Sequence, residues 1–108
     1  MINSTHIIYD FKYKGELIDI PTTMDNAIAT VGELHVVNKF QHHFNPQGLS
    51  LIYILAESHI SIHTWEEHNY ISIDIYTCGK VNPEHTLNEF LKSFNITHSN
   101  KQIIQRGL

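Results

Sequence analysis

The stretch from Ser50 to Cys78 constrains the fold more than any other part of the chain. It holds three strand-like runs in close succession: SLIYILA (50–56), HISIHTW (59–65) and YISIDIYTC (70–78). In the last run Ile71, Ile73 and Ile75 alternate with Ser72, Asp74, Tyr76 and Cys78. Successive side chains on a strand point to opposite faces, so the isoleucines share one face and the polar residues share the other. The short polar link Glu66-Glu67-His68-Asn69 closes a hairpin between the second and third runs. Strands joined this way pair antiparallel and leave one oily face that helices must cover.

The flanking segments supply those helices. From Thr22 or Thr23, read as the N-cap after a turn region Gly15–Pro21, apolar residues recur at Met24, Ala27, Ile28, Val31 and Leu34 with helical spacing. Asn82-Pro83 opens a second helix whose stripe is Leu87, Phe90, Leu91 and Phe94. Residues 5–13, 35–43 and 101–105 read as further strands, and Asn45-Pro46-Gln47-Gly48 as a turn. The predicted order is β-α-β-β-β-β-α-β. The predicted class is α+β: a two-layer α/β sandwich with a mainly antiparallel sheet and two helices on one face.

At 108 residues the chain is one domain, 1–108, and so short a chain gains from a partner interface. Seven basic residues are scattered along it and the net charge is −4, which argues against nucleic acid as the partner. No apolar run reaches the length of a membrane span. The N-terminus lacks the layout of a signal peptide, so a cytoplasmic location is expected. Cys78 is the single cysteine, and a lone buried thiol is the ordinary expectation for it. Nine histidines are many for this length, but His42-His43 is adjacent and neither HExxH nor CxxC occurs, so no metal site is expected. Asn95-Ile96-Thr97 matches a glycosylation sequon and is read as chance.

The strand face carrying Ser72, Asp74, Tyr76 and Cys78 is too polar for a plain core and too aromatic for plain solvent, and the run before it sets Ser58, His59, Ser61 and His63 where a core strand would prefer valine or isoleucine. Ala56-Glu57-Ser58-His59-Ile60-Ser61-Ile62-His63-Thr64-Trp65, followed by Glu67, Tyr70, Asp74 and Tyr76-Thr77-Cys78-Gly79, resembles the signature of the prokaryotic S-adenosylmethionine decarboxylases. The likeness is dense from about Ser50 to Gly79 and looser outside it, with His6, Phe44, Pro46 and Gly48 also fitting. Enzymes of that family are pyruvoyl-dependent and serve polyamine synthesis.

The resemblance implies autocatalytic cleavage between Glu57 and Ser58, giving chains 1–57 and 58–108, with Ser58 converted to a pyruvoyl cofactor. Decarboxylation needs an electron sink that no side chain provides, and a ketone built from the backbone provides one. By the same resemblance His63 is the base for processing, Ser50 assists it, and Cys78 returns a proton to the α-carbon of the product. An imidazole titrates near neutrality and a thiol is mostly protonated there, which suits both roles. Phe44, Trp65 and Glu67 match substrate-binding positions: aromatic faces for adenine and a sulfonium, an acid for ribose hydroxyls. Glu57 and Asp10 add negative charge for the cation.

Parity places Cys78 with Asp74 and Tyr76, but an unbroken strand would turn Ser58 away from His63. A turn or bulge at Glu57-Ser58 is therefore expected, with strain at the scissile bond. The expected assembly is a homodimer closed through the sheet side, with sites at or near the interface. The expected substrate is S-adenosylmethionine, giving the aminopropyl donor for spermidine. Two rivals stand beside it: a pyruvoyl decarboxylase of a basic amino acid such as ornithine or arginine, and an uncleaved regulatory relative. The chain departs from the family at Glu66, where Pro is usual, at Asn69, where Gly is usual, and in a shorter C-terminal tail.

Overall fold

The computed structural model describes residues 2–108. The elements follow the predicted order: β1 (Ser4–Lys14), α1 (Ile20–Val31), β2 (Val36–His43), β3 (Leu49–Leu55), β4 (Ser58–Trp65), β5 (Tyr70–Cys78), α2 (Pro83–Leu91) and β6 (Asn95–Arg106). One turn of 3₁₀ helix, Glu66–His68, sits between β4 and β5. The six strands form one sheet in the order β2-β3-β4-β5-β1-β6, and every neighbouring pair is antiparallel. This is the α+β two-layer arrangement expected from the alternation.

The oily face of the sheet meets both helices in one core. Ile60 and Ile62 of β4, Ile71, Ile73 and Ile75 of β5, and Ile7 and Phe11 of β1 are all buried there. Met24 and Ile28 of α1 and Leu87 and Phe90 of α2 close over them. Phe90, Phe94 and Phe11 pack edge to face or tilted at 5.0 Å between centroids. Burying each large side chain contributes about 1.5–3 kcal/mol, so this layer dominates the stability of the fold.

Three sequence expectations move. Helix α1 begins earlier than the threonines suggest: Asp19 is the cap, and its carboxylate accepts the Thr22 N–H at 3.1 Å. Pro21, assigned to the turn, lies in the first helical turn, where its missing N–H costs nothing. Strand β6 runs Asn95–Arg106 rather than 101–105, because its whole length pairs with β1. It is exposed at nearly every position, so no burial pattern marks it in the sequence. Helix α1 ends at Gly32, whose φ of 72° lets its N–H reach the Ile28 carbonyl at 2.9 Å.

Asp25 ties α1 to the sheet. It accepts from the Tyr53 hydroxyl at 2.6 Å and pairs with Lys39 at 2.8 Å. Partial burial pushes its carboxyl up, but the two hydrogen bonds and the nearby ammonium outweigh this and hold it below the usual carboxylate range. The same burial and the same carboxylate push the Tyr53 hydroxyl up. A depressed carboxylate stabilises the fold above its unfolded pKa, and that contribution disappears as the pH falls through the folded value.

Phe90→Ala should cost about 3–5 kcal/mol in urea denaturation at neutral pH. Asp25→Asn should cost about 1 kcal/mol or less, because the pair is half exposed. The second difference should shrink toward zero when the titration is repeated below the carboxylate range, while the first persists.

Candidate active site

The helix-free face of the sheet collects the chemistry-bearing side chains. Along β4 it presents His59, Ser61, His63 and Trp65, along β5 Tyr70, Ser72, Asp74, Tyr76 and Cys78, and along β1 His6, Ile8 and Asp10. Most of them are half-buried by their neighbours while the residues between them lie in the core.

One end of this face holds the Glu57-Ser58 peptide. Ala56 and Glu57 form the two-residue turn between paired Leu55 and Ser58. Glu57 has φ 63°, a left-handed conformation that glycine adopts freely and a glutamate does not. The expected turn is there, and the strain lies on the residue whose carbonyl precedes Ser58. Cys78, at the end of β5, donates its thiol to that Glu57 carbonyl oxygen at 2.9 Å. The Cys78 N–H donates to Ser58 Oγ at 3.3 Å. Cys78 therefore touches both the strained carbonyl, through its thiol, and the serine hydroxyl, through its backbone N–H, although Ser58 and Cys78 are twenty residues apart.

The other end of β4 holds the imidazole. Ser50 of β3 lies opposite His63 in the register, and Ser50 Oγ and His63 Nδ1 are hydrogen-bonded at 2.8 Å. That contact fixes the ring and leaves Nε2 free of it. A cleft of about 310 Å³ opens beside the pair, lined by Phe44, Gly48, Ser50, His63, Trp65 and Glu67. Trp65 lies 6.3 Å from the His63 ring and 5.2 Å from Tyr70. Glu67 accepts from Gln47 at 2.9 Å. Gly48 shapes the wall through its φ of 114°, a backbone conformation that residues with a side chain rarely adopt. Asn69, at φ 49°, takes the left-handed position expected of it and closes the loop that carries Glu67.

The structure thus brings Ser58, Glu57 and Cys78 together, and separately Ser50, His63, Phe44, Trp65 and Glu67. It does not join the two groups within one chain. Ser58 and His63 are five strand residues apart, or about 17 Å along β4. Asp10 belongs to the imidazole end: it accepts from Ser72, which is paired with His63. Burial first, then the Asp10 carboxylate, pushes the neighbouring Tyr70 hydroxyl up.

Between the ends lies a group that sequence spacing did not reveal. His6 Nε2 and His59 Nε2 both approach Asp74 Oδ2, at 2.6 and 3.2 Å, and Ser61 donates to Asp74 Oδ1. Its members come from three strands and are far apart in the chain, so only the register β4-β5-β1 puts them side by side.

A family model described as S-adenosylmethionine decarboxylase matches residues 5–107. The S-adenosylmethionine decarboxylase proenzyme of Thermococcus kodakarensis is 42% identical over 81 residues, which cover 74% of this chain and 57% of that one. The proenzyme of the same name from Hydrogenobaculum is 36% identical over 109 residues, covering 95% of this chain and 81% of that one. The chain therefore spans a little over half the length of the archaeal relative. The crystal structure of the adenosylmethionine decarboxylase of Aquifex aeolicus superposes with a TM-score of 0.86 at 28% identity, covering 99% of this chain and 92% of that one.

Ser50→Ala removes the hydrogen bond that holds the His63 ring. Imidazole ¹⁵N NMR should then report a shifted Nδ1/Nε2 pattern for His63 with the remaining histidines unchanged. An unaltered His63 pattern would mean that the hydroxyl does not set the tautomer.

Proposed function

The chain belongs to the S-adenosylmethionine decarboxylase family, and on that premise we propose that it is a self-cleaving pyruvoyl enzyme that decarboxylates S-adenosylmethionine. The observation that carries the proposal is the Cys78 thiol at 2.9 Å from the carbonyl of a left-handed Glu57, immediately before Ser58. A two-residue turn does not need that contact. A peptide bond about to exchange nitrogen for oxygen does.

The processing steps follow from these atoms. Ser58 Oγ attacks the Glu57 carbonyl carbon, the Ser58 nitrogen leaves, and the peptide becomes an ester. The donor already on the Glu57 oxygen stabilises the charge that develops there, as an oxyanion site does. A base then takes the Ser58 α-proton, and the Glu57 carboxylate departs by β-elimination. The dehydroalanine left behind tautomerises and takes up water, ammonia is lost, and a pyruvoyl group caps the chain that begins at position 58. The residues present fit such a group: the ketone would sit beside the Cys78 thiol at the end of β5. Its chemistry is to accept the electron pair released when carbon dioxide leaves the substrate. To the Cys78 thiol, 2.9 Å from the Glu57 carbonyl oxygen, we assign the return of the proton to the α-carbon.

The base cannot come from the same copy of the sheet, because His63 is about 17 Å away along β4. We assign it to a second copy. A two-fold axis near Ser61 and Asp74, midway along β4, would exchange the two ends and lay the partner subunit's His63 and Ser50 over Ser58. This supports a homodimer closed through the helix-free face, with two composite sites. The cleft lined by Phe44, Trp65 and Glu67 would arrive with the partner's imidazole. Its aromatic walls suit an adenine and a sulfonium, and Glu67, steadied by Gln47, suits ribose hydroxyls. A simple basic amino acid has no flat ring to use those walls. For His63 to act as the base, Nδ1–H must donate to Ser50 Oγ so that Nε2 keeps its lone pair.

Ser58→Ala should yield one uncut chain by intact mass, and the wild type two fragments with the pyruvoyl mass on the second. Carbon dioxide release should be seen with S-adenosylmethionine and not with ornithine or arginine. Release only from a basic amino acid would overturn the substrate assignment.

Mixed dimers test the shared site. Ser58→Ala and His63→Ala should each remain uncut alone. When the two are co-expressed, the His63→Ala chain should be cut, because it keeps Ser58 and faces an intact imidazole. Persistence of two uncut chains in isolated mixed dimers would overturn the sharing of sites.

A further inference from the structure

The His6–His59–Asp74 group in the middle of the sheet face has no part in the processing steps above, yet it is built like a ligand set. Its three donor atoms, two imidazole Nε2 and one carboxylate oxygen, lie within 4.8 Å of one another. They project from the three adjacent strands β1, β4 and β5, so the backbone beneath them is rigid. Tyr76 sits between the two imidazoles, stacked on His59 with centroids 5.5 Å apart and edge-on to His6 at 5.6 Å. Its hydroxyl is in turn held by Ser4 at 2.9 Å, which fixes the spacing of the rings. Ser61 binds the far oxygen of Asp74 and leaves Oδ2 turned to the imidazoles. Oriented ligands held by an outer ring of hydrogen bonds are the organisation that metal-binding histidines and carboxylates require.

We propose that this group is a binding site for a divalent ion of the zinc class, with His6, His59 and Asp74 as ligands. Two imidazoles and a carboxylate are a donor set that zinc accepts, with a fourth position left open. Bonds of about 2.0–2.2 Å in a tetrahedral arrangement place neighbouring ligand atoms roughly 3.3 Å apart. The His59–Asp74 separation of 3.2 Å already meets this, and His6, now at 2.6 Å across a proton, needs to retreat by less than the width of an atom. The facing charged groups are Asp74 itself and Arg106, whose guanidinium stacks 4.8 Å from the Tyr76 ring and marks the edge of the site. In a single chain the ligand side chains are 18%, 42% and 24% exposed for His6, His59 and Asp74, so the open position lies on the side where the second copy is proposed to sit. The site rests on the geometry of a single chain and stands or falls apart from the proposed reaction.

Calorimetric titration of the purified protein, cut or uncut, with Zn²⁺ should give one micromolar or tighter site per copy of residues 1–108. Co²⁺ in its place should give the visible bands of a tetrahedral or five-coordinate ion. His6→Gln, Asp74→Asn and His59→Gln should each weaken the affinity by about 100-fold or more, and Ser61→Ala by about 10-fold. His59 is the most exposed of the three, so its variant should fold even where Asp74→Asn does not. His85→Gln, which alters an exposed imidazole next to Glu33, should leave the affinity unchanged. Wild-type binding no tighter than millimolar, or tight binding that survives both histidine substitutions, would overturn the assignment and leave Asp74 as a hydrogen-bonded anchor for two imidazoles.

Discussion

The pairing of β5 with β4 on one side and β1 on the other is the constraint from which the rest follows. Ile73 is flanked by Ile62 and Tyr9, and Asp74 by Ser61 and Ile8. A slip of one residue in either pairing would carry Ile71, Ile73 and Ile75 out of the helix-covered core and drive Asp74 into it. Three isoleucines at about 1.5–3 kcal/mol each, together with the desolvation cost of a carboxylate, make that slip prohibitive. Register is therefore set by the buried face, and the functional face inherits it. The distances among Ser58, Cys78 and Glu57, and between Ser50 and His63, are consequences of packing on the opposite side of the sheet.

The same geometry underlies the proposed division of the site between two copies. A strand is straight on the scale of five residues, so groups at its two ends cannot meet by folding of that strand. Bringing base and serine together within one chain would take a bend in β4, and β4 is paired along its length with both neighbours. The proposed association of two sheets would be the inexpensive solution, since a two-fold axis inverts the strand without deforming it. Glu57 fits this picture. Its left-handed backbone stores strain of order 1–3 kcal/mol in a turn that the paired strands hold closed. Cleavage between Glu57 and Ser58 would release that strain at the moment the chemistry needs it.

Much of the architecture was legible in the residues. The alternation in 70–78 identified both faces, Asn82-Pro83 marked the start of α2, and the demand that Ser58 escape simple parity anticipated the turn at Glu57. What escaped was whatever depends on partners far away in sequence. Strand β6 carries hardly any buried side chain and is a strand because β1 offers it a complete ladder. Asp19 outcompetes Thr22 and Thr23 as a cap because Pro21 preorganises the turn that follows it. His6, His59 and Asp74 have no spacing that a motif search could use, since each comes from a different strand. Ser50 and His63 were individually recognisable, but their distance from Ser58 needed the register.

The composition of the helix-free face would let it be buried in the proposed dimer without ruin. A polar group deprived of water and left unpaired costs about 1–3 kcal/mol. Here the partners are already found inside one chain: Ser61 with Asp74, Ser72 with Asp10, Ser50 with His63, Tyr76 with Ser4. Among the described residues no buried side-chain nitrogen or oxygen lacks a hydrogen bond. The same face carries Ile54, Trp65 and Ile104 at 39–45% exposure, with Phe40 at 54% on the edge strand. Their burial in the proposed dimer would supply the drive, at about 25 cal/mol per Å² of apolar surface removed from water. A face wired internally for its polar groups and left apolar at intervals can meet another copy of itself without demanding new hydrogen bonds from it. In the proposed dimer the second copy would then supply only a few groups, an imidazole and an aromatic cleft, and these stand at the opposite end of the strand.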